Sequence, residues 1–182
     1  VPNNAKNFRI DPIDNKYCFI KELKILRNGE PVDYRGNYVC TETEEKMQPP
    51  FQIAVDLGTT TIAMQLLAGE KAVPVKTYTA VNSCRKYGSD VITRIQNANS
   101  GGMELLQKLS RADLLQGVKA LCETAQITPA DIERIGIAGN TTVSQILLGQ
   151  SLQGLASYPF TPVTYKLQKL KFQEVFKNSD SQ

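Results

Sequence analysis

The stretch from Phe51 to Val81 constrains the fold more than any other part of the chain. Gln52 to Leu57 is a short apolar run rich in β-formers, and Thr60 to Leu67 is another, with only Gly58-Thr59 clearly between them. A connection this short joins antiparallel neighbours, because parallel strands need a crossover of about a dozen residues or more. Glu70-Lys71 marks a further turn, and Val73, Val75, Thr77, Thr79 and Val81 alternate as a third strand. Three consecutive antiparallel strands are therefore expected.

Helical signals follow. Ser89-Asp90 can cap a segment with Val91, Ile92 and Ile95 on one face, and Gly101-Gly102 interrupts it. From Met103 to Ala125, Leu105, Leu109, Ala112, Leu115, Val118, Leu121 or Cys122, and Ala125 recur at helical spacing, with a break expected near Ser110, three residues before Asp113. Thr128-Pro129-Ala130-Asp131 reads as a helix start, with a cap, proline at the first position and an acid at the third. Arg134 to Ala138 reads as a strand, and Gly139-Asn140-Thr141-Thr142 turns it into a helix from Val143 to Leu148, closed by Gly149. Three antiparallel strands, a helical crossover, a further strand and a helix make an α/β layer of the ribonuclease H-like kind.

On either side the pattern weakens. In residues 1–50, Lys16 to Leu26 and Val32 to Cys40 read as two strands around the Asn28-Gly29 turn, a small β-hairpin appendage. Thr41 to Pro50 reads as a linker ending in Pro49-Pro50. The expected division is an appendage over 1–50, the α/β layer over 51–162, and a truncated C-terminal arm over 163–182. The arm reads as either a strand or an irregular segment. Val1 is not an initiator methionine, so a fragment of a longer protein is expected.

Composition narrows the chemistry. The 182 residues include no histidine, which excludes Ser-His-Asp and Cys-His nucleophile systems and His-ligated zinc or haem. Carboxylates, hydroxyls, lysines, backbone amides or a bound metal remain. Lys+Arg at 21 against Asp+Glu at 18 gives +3, too small for a nucleic-acid footprint. Lys166, Lys169, Lys171 and Lys177 read as a solvated face. Cys18, Cys40, Cys84 and Cys122 lack the close spacing of a zinc or iron–sulfur site. They read as reduced thiols of a cytoplasmic protein, with a Cys18–Cys40 pairing across the hairpin left open. No apolar run approaches the ~20 residues of a membrane span.

Three segments could carry chemistry. In Asp56-Leu57-Gly58-Thr59-Thr60-Thr61, Gly58 lets the backbone approach an anion, and the threonine amides and hydroxyls can point at phosphate oxygens. Asp56 supplies a hard oxygen for Mg²⁺ through bound water. The same residues also make an ordinary turn capped by Asp56, and both readings stand on the hexapeptide alone. Gly139-Asn140-Thr141-Thr142 opens a helix, where an anion is favoured, or is a plain N-cap. In such a sheet both turns lie at one end, which favours a shared phosphate site. Asn82 to Ile95 is a polar loop feeding a helix; Arg85, Lys86 and Arg94 are candidate phosphate or partner contacts, or surface residues. Arg85 and Lys86 beside Cys84 would favour its thiolate.

Asp56-Leu57-Gly58-Thr59-Thr60-Thr61 resembles the phosphate-1 loop of the superfamily of acetate kinases, sugar kinases, heat-shock chaperones and actin. Within it, three segments resemble the reductive activators of corrinoid proteins. They are Ile53 to Thr61, Tyr87 to Ile95, and Gly139-Asn140-Thr141-Thr142 with Leu147-Leu148-Gly149 and Tyr158-Pro159-Phe160-Thr161-Pro162. The resemblance implies an actin-like ATPase that couples ATP to reduction of a cobalt(II) corrinoid in a partner protein, with electrons from an iron–sulfur domain. It implies Asp56 as the catalytic and Mg²⁺-holding residue, with Gly58, Thr59, Thr60, Thr61, Gly139, Asn140, Thr141 and Thr142 around the nucleotide.

The chain departs from that family in several places. Residues 1–50 lack the clustered cysteines of its two-iron two-sulfur domain, so no iron–sulfur cluster is expected in this chain. No Asp-x-Gly loop follows Pro162, and Asn82-Ser83-Cys84 replaces the usual Asn-Pro-Gln. The expectation is the first half of a nucleotide-binding module, whose partners are the remaining half, a corrinoid protein and, as an open option, a second copy. The alternatives are a small-molecule kinase of the same superfamily and a non-catalytic interaction half-domain.

Overall fold

The structure, a computed structural model, describes residues 47–176 together with the backbone of 25–27 and 30–32. Strands β1 (Ile25–Arg27) and β2 (Glu30–Val32) pair antiparallel, Leu26 opposite Pro31. The remainder of the strands expected over Lys16–Leu26 and Val32–Cys40, and the Cys18–Cys40 question, lie outside the described residues.

The body is a four-stranded sheet built from β3 (Phe51–Leu57), β4 (Thr61–Ala68), β5 (Val73–Val81) and β6 (Ile132–Gly139), in the order β5-β4-β3-β6. β3, β4 and β5 run antiparallel in succession, while β6 lies parallel to β3 after a helical crossover. Alternation explains the hairpin: Phe51, Ile53, Val55 and Leu57 of β3 join Ile62, Met64 and Leu66 of β4 in one buried cluster. Each such side chain removed from water contributes about 1.5–3 kcal/mol. That shared face holds the register that sets Asp56 opposite Ala63 on one side and Ala138 on the other.

Three helices follow the sheet: α1 (Val91–Asn97), α2 (Met103–Ala125) and α3 (Thr141–Leu148). A distorted turn at Ala98–Gly102 separates α1 from α2; Ser100 and Gly101 leave helical angles there, Gly101 at φ 96°. Helix α2 covers the sheet so closely at Gly117 that an added Cβ would lie 3.0 Å from the Tyr78 ring. A second cluster, Cys84, Ile95, Ala98, Leu106, Ile146 and Leu152, ties the loop after β5 to all three helices.

Four expectations need correction. Helix α2 is unbroken: Ser110 is buried within it, and Asp113 accepts hydrogen bonds from the Ser83 amide and hydroxyl rather than serving a local cap. Its buried face begins on Leu106, Ser110 and Leu114 instead of Leu105, Leu109 and Ala112, because its first turns pack on the second cluster. In α1, Val91 and Ile92 are exposed, and Arg94 and Ile95 are buried. Thr128-Pro129-Ala130-Asp131 caps only a single turn, Pro129–Asp131, before the chain extends into β6. The pull of the β3 edge on Ile132, Ile135 and Ile137 overrides the helix signal.

After α3 the chain is irregular except for a turn at Gln153–Leu155 and the short helix α4 (Phe172–Phe176). The segment Val163–Phe176, read as strand or irregular arm, is thus an irregular arm ending in a helical turn. No helix among the described residues is long and apolar enough to cross a membrane.

Candidate functional site

The turn between β3 and β4 is held closed by the Gly58 amide donating to the Thr61 carbonyl at 3.0 Å. A Cβ on Gly58 would stand 2.5 Å from that carbonyl oxygen, so the turn requires glycine. Every carbonyl of the turn then finds an inward donor. Asn82 Nδ2 donates to Gly58 O at 2.8 Å, Arg94 Nη2 to Thr59 O at 2.9 Å, and the Asn82 amide to Thr60 O at 2.8 Å. Among the described residues the Thr59 and Thr60 amides have no such partner. The turn therefore spends its acceptors internally and keeps donors for whatever approaches from outside.

Two of the bracing side chains were not assigned this work by sequence reasoning. Asn82 is 1% exposed; its Oδ1 accepts from the Cys84 amide at 2.9 Å while its Nδ2 holds Gly58. Arg94 is fully buried, with Nε and Nη2 on the Gly88 carbonyl at 3.2 and 2.7 Å besides the bond to Thr59. Arg85 and Lys86, by contrast, are exposed. Desolvation lowers the Arg94 pKa from its ordinary value.

Cys84 corrects the expectation of a reactive thiolate. Burial pushes its thiol up to about 11, outweighing the nearby Arg94 charge, and Sγ donates to the Leu106 carbonyl at 3.2 Å. Cys84 and Cys122 are both free and buried.

The second motif reaches the first. Gly139 ends β6 in register with Leu57, and a Cβ there would meet Leu57 O at 2.9 Å and Val143 at 2.8 Å. This close approach delivers Asn140 to the turn: its Nδ2 donates to Thr59 Oγ1 at 3.0 Å across 81 residues of sequence. Its Oδ1 meanwhile accepts from the Val143 amide at 3.1 Å, capping α3. Thr141 opens the helix and is exposed, whereas Thr142 is 3% exposed and faces the interior. Thr60 and Thr61 are exposed at the turn and the start of β4.

Asp56 is exposed near the end of β3, flanked in the sheet by Ala63 and Ala138. Two alanine neighbours leave room around the carboxylate, which suits a hydrated cation such as Mg²⁺. Asp56, the Thr59 and Thr60 amides and the start of α3 thus share one end of the sheet, an acceptor beside a group of donors.

Tyr158, Phe160 and Thr161 lie in the exposed segment after α3, with Tyr158 and Phe160 edge to face and Pro162 buried. Gln145, buried in α3, anchors that segment through the Val163 amide at 3.3 Å and the Ser151 carbonyl.

A corrinoid activation enzyme, RamQ, from Eubacterium limosum is 30% identical over 121 residues, 65% of this chain and 20% of that protein. A solved structure described as a reductive activator for a corrinoid, iron–sulfur protein superposes with a TM-score of 0.59 at 28% identity, covering 66% of this chain and 19% of the other. The chain thus spans about a fifth of the length of either relative. The family described as the RACo middle region matches residues 51–181, and the chain belongs to that family.

Proposed function

We propose that this chain forms the first wall of an ATP site in a corrinoid-activating protein, built on a ribonuclease H-like layer of the actin-like ATPase kind. The hydrogen-bond pattern of the Gly58–Thr61 turn carries the reading: its carbonyls are tied inward and the Thr59 and Thr60 amides are left for an oxyanion. The Asn140–Thr59 contact supports it, since it joins the turn to the positive end of α3. Asp56 would hold Mg²⁺ through water, and Mg²⁺ would supply charge neutralisation to the phosphates. Gly58, Thr59 and Thr60 would orient the phosphate chain, with Gly139, Asn140 and Thr141 closing from the neighbouring strand. The buried Thr142 would act from behind this surface, and the exposed Thr61 from the start of β4.

Catalysis of this type rests on positioning and electrostatics, so a chain without histidine is equipped for it. The second wall comes from further sequence, because one face alone leaves most of a nucleotide in water. The names of the relatives point to a corrinoid protein as the partner, with ATP binding and hydrolysis switching how the module grips it. Asp56→Ala in the intact parent protein should abolish Mg²⁺-dependent ATP hydrolysis. Turnover equal to wild type would overturn the assignment.

A further inference from the structure

The segment Tyr87–Ile95 is arranged around one guanidinium. Gly88, at φ 149°, has no room for a Cβ, which would lie 2.7 Å from the Arg94 amide nitrogen. The close approach puts the Gly88 carbonyl on both Nε and Nη2 of Arg94. Asp90 and Thr93 cap α1 reciprocally, Asp90 Oδ1 accepting from the Thr93 amide at 2.9 Å, which fixes the turn from which Arg94 projects. Ile95 packs beside it in the second cluster.

Arg94 is nevertheless an expensive choice for a brace. It is fully buried, it has no ion-pair partner among the described residues, and its Nη1 is buried without a hydrogen-bond partner. Interiors rarely keep a cation without a contacting ion-pair partner for packing alone, since an apolar side chain of similar volume fills the space at lower cost. What the guanidinium alone provides is a planar fork that spans two backbone carbonyls, one of them Thr59 O.

We infer that Arg94 is the positioning residue of the phosphate turn. Its guanidinium holds the Thr59 carbonyl inward so that the Thr59 and Thr60 amides stay aimed at an oxyanion. It also couples the turn to Gly88 and α1, and adds positive potential behind the turn without touching the ligand. The inference rests on the nucleotide reading above and names the group within this chain that makes the turn selective for phosphate.

The test uses the intact parent protein and two ligands, Mg-ATP and adenosine. Arg94→Lys keeps the charge but loses the fork, and should bind Mg-ATP at least tenfold more weakly with adenosine affinity unchanged. Equal Mg-ATP affinity overturns the inference, as does an equal loss for both ligands, which marks general structural damage. Hydrogen exchange on the wild type needs no variant to fold: Mg-ATP should slow exchange in 88–95 together with 58–61. Slowing confined to 58–61 overturns the coupling. Absence of Mg-ATP binding by the wild type overturns the nucleotide reading itself, a result distinct from loss of the Arg94 role alone.

Discussion

The turn at Gly58–Thr61 and the arm from Tyr158 to Phe172 both face solvent, yet they are built in opposite ways. The turn is short, and side chains from three separate places, Asn82, Arg94 and Asn140, hold its backbone or its threonine. The arm shows large apolar side chains to water, Tyr158 at 87% and Tyr165 at 83% exposure. Its ties to the body include the Gln145 bond to the Val163 amide and the Gln150–Gln168 pair. Exposure is therefore a poor guide to constraint here. Hydrogen-bond accounting separates a surface whose shape is fixed from one whose side chains only rest on water.

The contrast can be broken at the turn with the largest effect. Asn82→Ala strips the donor from Gly58 O, in a part-buried setting, and the acceptor from the Cys84 amide, in a buried one. Orphaned buried groups cost about 1–3 kcal/mol each, so a loss of about 3 kcal/mol is expected from urea unfolding of this variant. A loss below about 0.5 kcal/mol, the range of ordinary surface changes, would show that the turn holds its shape without the brace.

A smaller effect is expected one step back, at the cap of α1. Asp90→Ala removes the carboxylate that accepts from the Thr93 amide and hydroxyl, leaves the residue-90 amide on Thr93 Oγ1, and should cost less stability at pH 7 than the Asn82 change. Hydrogen bonds from the Thr93 amide, then its hydroxyl, hold the Asp90 carboxyl below its ordinary value of 3.8. A depressed pKa stabilises the fold in full above the unfolded value, and the contribution is lost as pH falls from there through the folded value. Wild type and variant should therefore converge in stability only below about that ordinary carboxyl pKa. Convergence already at pH 6 would contradict the capping role.

The smallest effect belongs to the arm. Tyr165→Ser should change unfolding stability by less than about 0.5 kcal/mol, because the side chain it removes is almost wholly in water. A larger loss in the same urea titration would mean that the arm is held as firmly as the turn.

Much of the sheet was legible from the chain. Apolar runs mark β3 and β4, alternation marks β5, and Gly58 and Gly139 sit at two places where backbone approaches backbone. Local signals failed where a tertiary partner decided the outcome. Thr128 and Asp131 form a complete capping pair, yet the residues after them gain more by pairing with β3 than by continuing a helix. Arg94 fails for the same reason: an arginine in a helix reads as a solvent-facing cation, and nothing within a few residues says that its target is the Thr59 carbonyl 35 positions earlier. The available hint was Gly88, whose positive φ and missing Cβ let the Arg94 backbone come close.

Water meeting the Thr59 and Thr60 amides must turn its oxygen toward the protein, and water meeting Asp56 must turn its hydrogens. Within five residues of chain the hydration layer reverses its polarity. Solvent ordered in this way is displaced at least cost by a ligand carrying the same reversal, oxygens next to a hard cation. A metal–oxyanion pair has that pattern; a bare cation or an uncharged sugar has only half of it, or none.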